Sequence, residues 1–459
     1  MTPPGESAHG DDVNKTAADI DKVTSAAEKK NSHIEKIESN AWDEDEVPEL
    51  HLRTWIALAA MMLLQFVQLL SLQGPSAVWI QMGLWAVTVA GIVIGYRPPK
   101  RHTRYSDLSF AQKLGRTDFI GGAFLASGLT LLLTGLVLGG NQFPWSSARV
   151  IALLAVGAVL LVGFGLWEWK GTDSGIFHHD FFRGNRAMAQ SFALCLLLMF
   201  LEGVLFFSVV VFYPILTATL YESDPLLVVL RGQPNFMGAA LSALVWGWIS
   251  TRFRTIRELL SAGFLLVAAG VIGLATLQPD SGTVAIGMVT LTGIGTASPL
   301  IFIITAVQLA TPSHLIATAT GVTTSVRAIG AAVFIAIYDA ALTTGLSKKL
   351  PAYVAEAATK AGLPKTSIPA FIAAIASGEA STLATIPGAS PAIIGAGVAA
   401  FKQAFADSIR LVYIITAPFG ILAAVASLFL TDFRKTMNYK VDAPVEDLHR
   451  ARGPVEEHS

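Results

Sequence analysis

Residues 188–216 read MAQSFALCLLLMFLEGVLFFSVVVFYPIL, a run in which Glu202 is the one charged side chain. A helix that crosses a bilayer needs roughly 20 mostly apolar residues, and this stretch exceeds that. It shows none of the short alternating segments of a membrane barrel. The run therefore predicts a transmembrane helix with a carboxylate near its middle.

Working outward, similar runs lie at about 54–72, 78–96, 119–139, 149–168, 226–250, 258–277, 283–309, 315–341 and 406–430, about ten in all. The composition agrees: 53% of residues are hydrophobic and 14% charged, against about 25% charged in a soluble domain. The fold class expected is all-α and polytopic. A net charge of −1 gives no global field for nucleic acid. The single cysteine, Cys195, excludes an intrachain disulfide framework and a cysteine-based zinc site, and its apolar surroundings read as core. His178-His179 are followed by Asp180 but have no cysteine company in a basic connection, so no metal or other cofactor is expected. Esterase-elbow, zincin and phosphate-loop motifs are absent. The chain reads as no enzyme and no ATP-driven pump.

Basic residues between the runs set the orientation. Arg97, Lys100, Arg101, Arg104, Lys113 and Arg116 fall in one connection; Lys170, Arg183 and Arg186 in another; Arg252, Arg254 and Arg257 in a third; and Arg434, Lys435 and Lys440 behind the last run. All share one side if both termini are cytosolic. The opposite connections near 73–77, 217–225 and 278–282 hold no Lys or Arg. Residues 1–50 form a polar cytosolic tail without a cleavable leader. Its Asn14-Lys15-Thr16 triplet is therefore not expected to carry glycan. Residues 342–405 form a long outer loop whose KKLPAYVAEAATKAGLP and IPAFIAAIASG segments look like short amphipathic helices.

Charges inside the runs are the candidate functional residues, because an ionised side chain at mid-bilayer costs about 2.5–3.5 kcal/mol on insertion scales. Glu202 is one; its reading is proton coupling or substrate contact, against a structural pair with a neighbouring cation. Arg327 lies roughly 18 Å into its run and reads as a cavity residue or a carboxylate's partner. Arg231 and Asp339, nearer the outer ends, read as interface anchors, and Asp407 and Arg410 as loop anchors. Gly91–Gly95 and Gly135–Gly139 have the spacing that lets helices approach closely. Pro214, Pro234, Pro299 and Pro418 fall within or near apolar runs, where a missing N–H bends a helix.

Several segments resemble a known family. DFIGGAFLASGLTLLLTGLVLGGNQFPWSSARVI, then LVGFGLWEWKG and HHDFFR, resemble the two linker helices of the fourteen-helix fungal major facilitator drug:proton antiporters. VWGWISTRFRTIRELL is similar to a degenerate form of their cytosolic loop motif. GLPKTSIPAFIAAIASG and the stretch from ATIPGASPAIIGAG to LFLTD resemble the outer loop and last helix of the trichothecene efflux pump-like branch. Siderophore-iron transporters share much of that pattern. The resemblance implies a major facilitator-type bundle and proton-coupled efflux of a small hydrophobic toxin or drug. It places the chain in the plasma membrane or a vacuolar membrane. It also implies that Gly247, Arg252 and Arg254 brace the cytosolic helix ends.

The family has six helices before the linker pair, and only two precede Asp118. LRTWIALAAMMLLQFVQLLSLQGPSAV resembles the first and WIQMGLWAVTVAGIVIGYRPPKRHTRYSDLSFAQKL the sixth, joined near Val78–Trp79. The division expected is a tail at 1–50, a remnant amino half at 51–117, linker helices at 118–187, a six-helix carboxyl half at 188–431 and a tail at 432–459. An amino half lacking helices two to five predicts impaired transport, unless a second copy or a full-length form associates. Siderophore-iron uptake and a non-transporting shortened membrane protein are the alternatives.

Overall fold

The computed structural model describes residues 52–69, 75–96, 118–140, 142–172, 175, 181, 186–311, 315–377, 383, 385–434 and 437. The readings of the 1–50 tail with Asn14, the basic connection 97–117, His178-His179, and the tail past 437 fall outside these residues. Among the described residues the chain forms helices and no strand: α1 (Leu52–Leu69), α2 (Pro75–Gly95), α3 (Phe119–Leu138), α4 (Ala148–Lys170), α5 (Arg186–Leu220), α6 (Pro225–Phe253), α7 (Arg257–Ala275), α8 (Gly282–Ala310), α9 (Ile316–Lys360), α10 (Ile368–Ser377) and α11 (Pro391–Ser427).

A helix lies at each of the ten runs read from hydropathy. Among the described residues, seven helices (α3, α4, α5, α7, α8, α9 and α11) are long and apolar enough to cross a membrane. Helix α6 is 29 residues long, but Arg231, Gln233 and Asn235 make its outer half more polar. The join read at Val78–Trp79 falls inside α2.

Burial orders the bundle. In their apolar windows α5 and α8 are each 56% buried and α7 50%, against 17% for α3 and α4. Helices α5, α7, α8 and α11 thus hold the core, and the α3–α4 pair sits on its outside, with α3 against α9. Phe192, Leu198, Phe212, Phe264, Phe302 and Tyr413 are among the fully buried side chains of this core. Helix α6 turns Leu226, Leu230, Met237, Leu241, Leu244 and Trp248 outward. That spacing keeps one large apolar stripe on a single helix face, as a lipid-facing surface requires.

Without a hydrophobic drive between helices in lipid, close packing holds them together. A Cβ on Gly295 would stand 2.7 Å from the Gly263 carbonyl oxygen and the Val267 nitrogen, so the α7–α8 crossing brings backbone to backbone. Nearby, Ser298 Oγ donates to the Leu259 carbonyl at 2.8 Å and Ser261 Oγ to that of Ala424 at 3.0 Å. On the linker pair, a Cβ on Gly157 would lie 2.7 Å from the Leu132 nitrogen. Asp118 caps α3 through Gly121 N at 2.8 Å and accepts from Trp167 Nε1 at 3.1 Å, tying α4 to the same end. Gly91 packs on Ala60 of α1.

Two expected boundaries move. The segment read as a loop from 342 is helical to Lys360, so KKLPAYV continues α9 with Pro351 inside it. Helix α11 starts at Pro391 and not near 406. Both helices therefore run past the membrane and build a second hydrophobic core of Leu350, Val354, Ala358, Leu363, Phe371, Ile375, Ile386 and Ile393. That core supplies the apolar partner that an isolated short helix lacks in water. IPAFIAAIAS forms α10, as read.

Candidate functional site

Glu202 sits in the middle of α5 at 1% exposure. Across from it on α9 stands Arg327. Arg327 Nη2 donates to Glu202 Oε1 at 3.0 Å, and Nε donates to Oε2. This two-pronged pairing is the strong form of an Arg–carboxylate contact. It answers a local problem, because neither charge could stay alone at this depth without several kcal/mol of cost.

The backbone is shaped for the pair. A Cβ on Gly203 would run into the Arg327 carbonyl oxygen, and one on Gly330 would lie 2.7 Å from the Phe200 carbonyl oxygen. One glycine on each helix, next to the paired charges, lets α5 and α9 meet closely there. The Arg327 guanidinium also lies over the rings of Phe206 and Phe207, at 4.7 and 5.6 Å from their centres. Cation–π attraction is greatest when the cation is desolvated. Below the pair, Phe334 packs edge-on to Phe200 and Phe419.

The pair is asymmetric in exposure: the Glu202 side chain is 2% exposed and that of Arg327 22%. Arg327 opens onto the outward face of α9, where Thr318, Gly321, Thr324, Ser325 and Ala328 are exposed. This stripe of small and polar residues contrasts with the large apolar stripe of α6. A polar stripe at membrane depth fits water or protein as its neighbour.

The other charges read from sequence lie apart from this pair. Arg231 bonds Glu222 at 2.7 Å, donates to the Gly282 carbonyl at 3.1 Å and covers the Tyr221 ring. It joins the outer ends of α5, α6 and α8. Asp339 is exposed on α9. Asp407 and Arg410 pair at 3.2 Å on α11. Gly247 has open space where a Cβ would go. Arg252 is exposed, and Arg254 ends α6 in the left-handed conformation at φ 49°, its N–H donating to the Ser250 carbonyl. The structure does not bring these three near Glu202 or Arg327.

Polar groups that hydropathy did not single out complete the interior. Asn235, one residue after Pro234, accepts from Thr292 Oγ1 at 3.0 Å, and Trp246 Nε1 donates to the Ile294 carbonyl at 2.9 Å. Their signal in sequence is weak, since an uncharged amide or hydroxyl lacks the charge that marks Glu202 and Arg327. Tyr413 is buried with a hydroxyl that finds no hydrogen-bond partner among the described residues.

The model of the fungal trichothecene efflux pump (TRI12) family matches residues 54–458. The trichothecene efflux pump TRI12 of Fusarium sporotrichioides is 25% identical over 362 residues, covering 77% of this chain and 59% of that protein. The same-named pump of Trichoderma arundinaceum is 26% identical over 77% of this chain and 60% of its own. The MFS-type transporter prx5 of Penicillium rubens is 25% identical over 78% and 67%. The chain thus spans less than two thirds of the length of either trichothecene pump. A solved bacterial homolog of the human lysosomal transporter Spinster aligns over 81% of this chain and 83% of that one, with 16% identity and a TM-score of 0.38. The match along nearly all of the helical region shows that this chain belongs to the fungal trichothecene efflux pump family.

Proposed function

We propose that this chain is a multi-pass membrane transporter for export of small hydrophobic compounds, with proton exchange at the Glu202–Arg327 pair. The observation that carries the reading is the pair itself: a carboxylate at 1% exposure bound by an arginine that opens onto a polar, outward-facing stripe. Protonating Glu202 removes its charge and frees the Arg327 donors. A compound that donates a hydrogen bond to Glu202 needs the carboxylate ionised and would in turn release the proton. Proton and substrate then compete for one site, which is the condition for antiport. The names of the relatives, which are efflux pumps or MFS-type transporters, support the direction outward.

The reading extends to the amino side. With α1 and α2 as the helices of the amino half, no second six-helix half faces the polar stripe of α9 among the described residues. Transporters of this kind rock two halves around a mid-membrane site, so the chain alone is expected to bind but to turn over poorly. The plasma membrane is the expected location.

Two measurements test the two parts. Proton release on addition of a hydrophobic ligand to the purified protein, followed with a soluble pH dye, should occur in wild type and vanish in Glu202→Gln. Binding with no proton release in wild type would overturn the coupling. In liposomes with an imposed proton gradient, the chain alone should give no gradient-driven flux above empty vesicles. Substantial flux would overturn the impairment, and growth rescue on a ferric siderophore would redirect the reading to uptake.

A further inference from the structure

Where α9 leaves the bundle and meets α11, Lys349, Tyr353, Asp407, Arg410, Leu411 and Ile414 line an open cavity of about 380 Å³. It lies away from the Glu202–Arg327 pair and plays no part in the transport reading.

Its charges are unbalanced. Asp407 is already engaged: Tyr353 donates to its Oδ2 at 3.1 Å and Arg410 Nη1 stands 3.2 Å from Oδ1. Lys349 Nζ donates to the Asp407 backbone carbonyl at 2.6 Å, and among the described residues it makes no ion pair. Arg410 Nε is buried without a partner. An ammonium has three donors and a guanidinium five, so both cations keep N–H groups unused. Two cations against one carboxylate leave the cavity with a positive surplus.

Its depth and its lower wall narrow the ligand. Asp407 lies 20 residues before Ser427 at the inner end of α11, about 30 Å along the helix. That distance is the thickness of the hydrocarbon core, so the cavity stands at the outer headgroup level. Below it, Leu411, Ile414, Ile421, Leu422 and Val425 are exposed and continue as one apolar stripe down α11. A donor-rich pocket above an apolar track matches a molecule with an anionic head and a hydrocarbon tail.

We infer that this cavity binds an anionic phospholipid of the outer leaflet, its phosphate at Lys349 Nζ and the exposed part of the Arg410 guanidinium and an acyl chain along Leu411 and Ile414. Such a lipid bridges the outer core to the membrane bundle at the point where α9 and α11 cross the surface.

Native mass spectrometry of the full chain in detergent tests this, with phosphatidylglycerol, phosphatidylcholine and inorganic phosphate as probes. Phosphatidylglycerol should bind more tightly than phosphatidylcholine, and millimolar inorganic phosphate, lacking a tail, should not displace it. Lys349→Gln leaves the Asp407–Arg410 and Asp407–Tyr353 contacts in place and should weaken phosphatidylglycerol binding about fivefold, the effect of one basic residue near an anionic membrane. Equal binding of the two lipids by wild type would overturn the inference, and so would unchanged retention in Lys349→Gln. Displacement by phosphate alone would instead show a site for free anions.

Discussion

Arg327 on α9 holds Glu202 on α5 through both carboxylate oxygens, and the two partners differ in their access to solvent, 22% against 2%. That difference gives the pair an uneven energetic signature. Removing one partner of a buried ion pair costs about 3–5 kcal/mol, because the other charge is left uncompensated. Arg327→Leu strands the nearly inaccessible carboxylate. Glu202→Leu strands an arginine that can turn toward the polar stripe of α9. Thermal unfolding in detergent should therefore show a larger loss for Arg327→Leu than for Glu202→Leu, with the double variant losing less than the sum. Additive losses would show that the charges do not interact.

Close approach of the two helices depends on Gly203 and Gly330. Alanine at Gly203 would push its methyl into the Arg327 carbonyl, and at Gly330 it would stand 2.7 Å from that of Phe200. Overpacking of this kind costs about 1–3 kcal/mol, and it should also loosen the ion pair. Gly247 has no atom within reach of an added Cβ. Gly247→Ala in mid-helix should leave stability unchanged or raise it by up to about 1 kcal/mol. Melting temperatures of the three alanine variants separate these outcomes. A destabilised Gly247→Ala would mean that this face packs against something.

Much of this arrangement was legible in the residues. Glu202 stood out as the one charge in its apolar run and Arg327 as the one at mid-depth in its own, and burial at membrane depth is costly enough to make such charges conspicuous. That the two meet depends on helix order around the bundle, which hydropathy does not encode. The extent of α9 and α11 was misjudged for a related reason. Hydropathy marks where a chain leaves the membrane, and helix formation does not stop there when Ala-rich sequence such as AYVAEAATK finds an apolar partner. Asn235 and Thr292 went unread because neutral polar residues carry no charge to mark them within a run.

Tyr413 presents a simpler test. It is fully buried, and its hydroxyl has no hydrogen-bond partner among the described residues. A buried donor left unsatisfied costs about 1–3 kcal/mol. Tyr413→Phe should thus be neutral or stabilising in thermal unfolding. A loss above about 1 kcal/mol, the net worth of an ordinary hydrogen bond, would reveal that the hydroxyl is satisfied in the membrane.

The outer core should be separable from the bundle in its stability. Phe371 on α10 is 0% exposed and packs on Gly397 of α11, where an added Cβ would stand 2.6 Å from its ring. Truncating a buried phenylalanine to alanine costs about 3–5 kcal/mol. Its contacts are within the small core of α9, α10 and α11, and the Glu202–Arg327 pair lies in the main bundle. Phe371→Ala should raise hydrogen exchange and proteolytic cutting in residues 361–390, while amides around Glu202 keep their protection. Loss of protection at both places would mean that the two cores unfold as one unit. In that case the long continuous helices α9 and α11 couple them more strongly than the separation of their side-chain clusters implies.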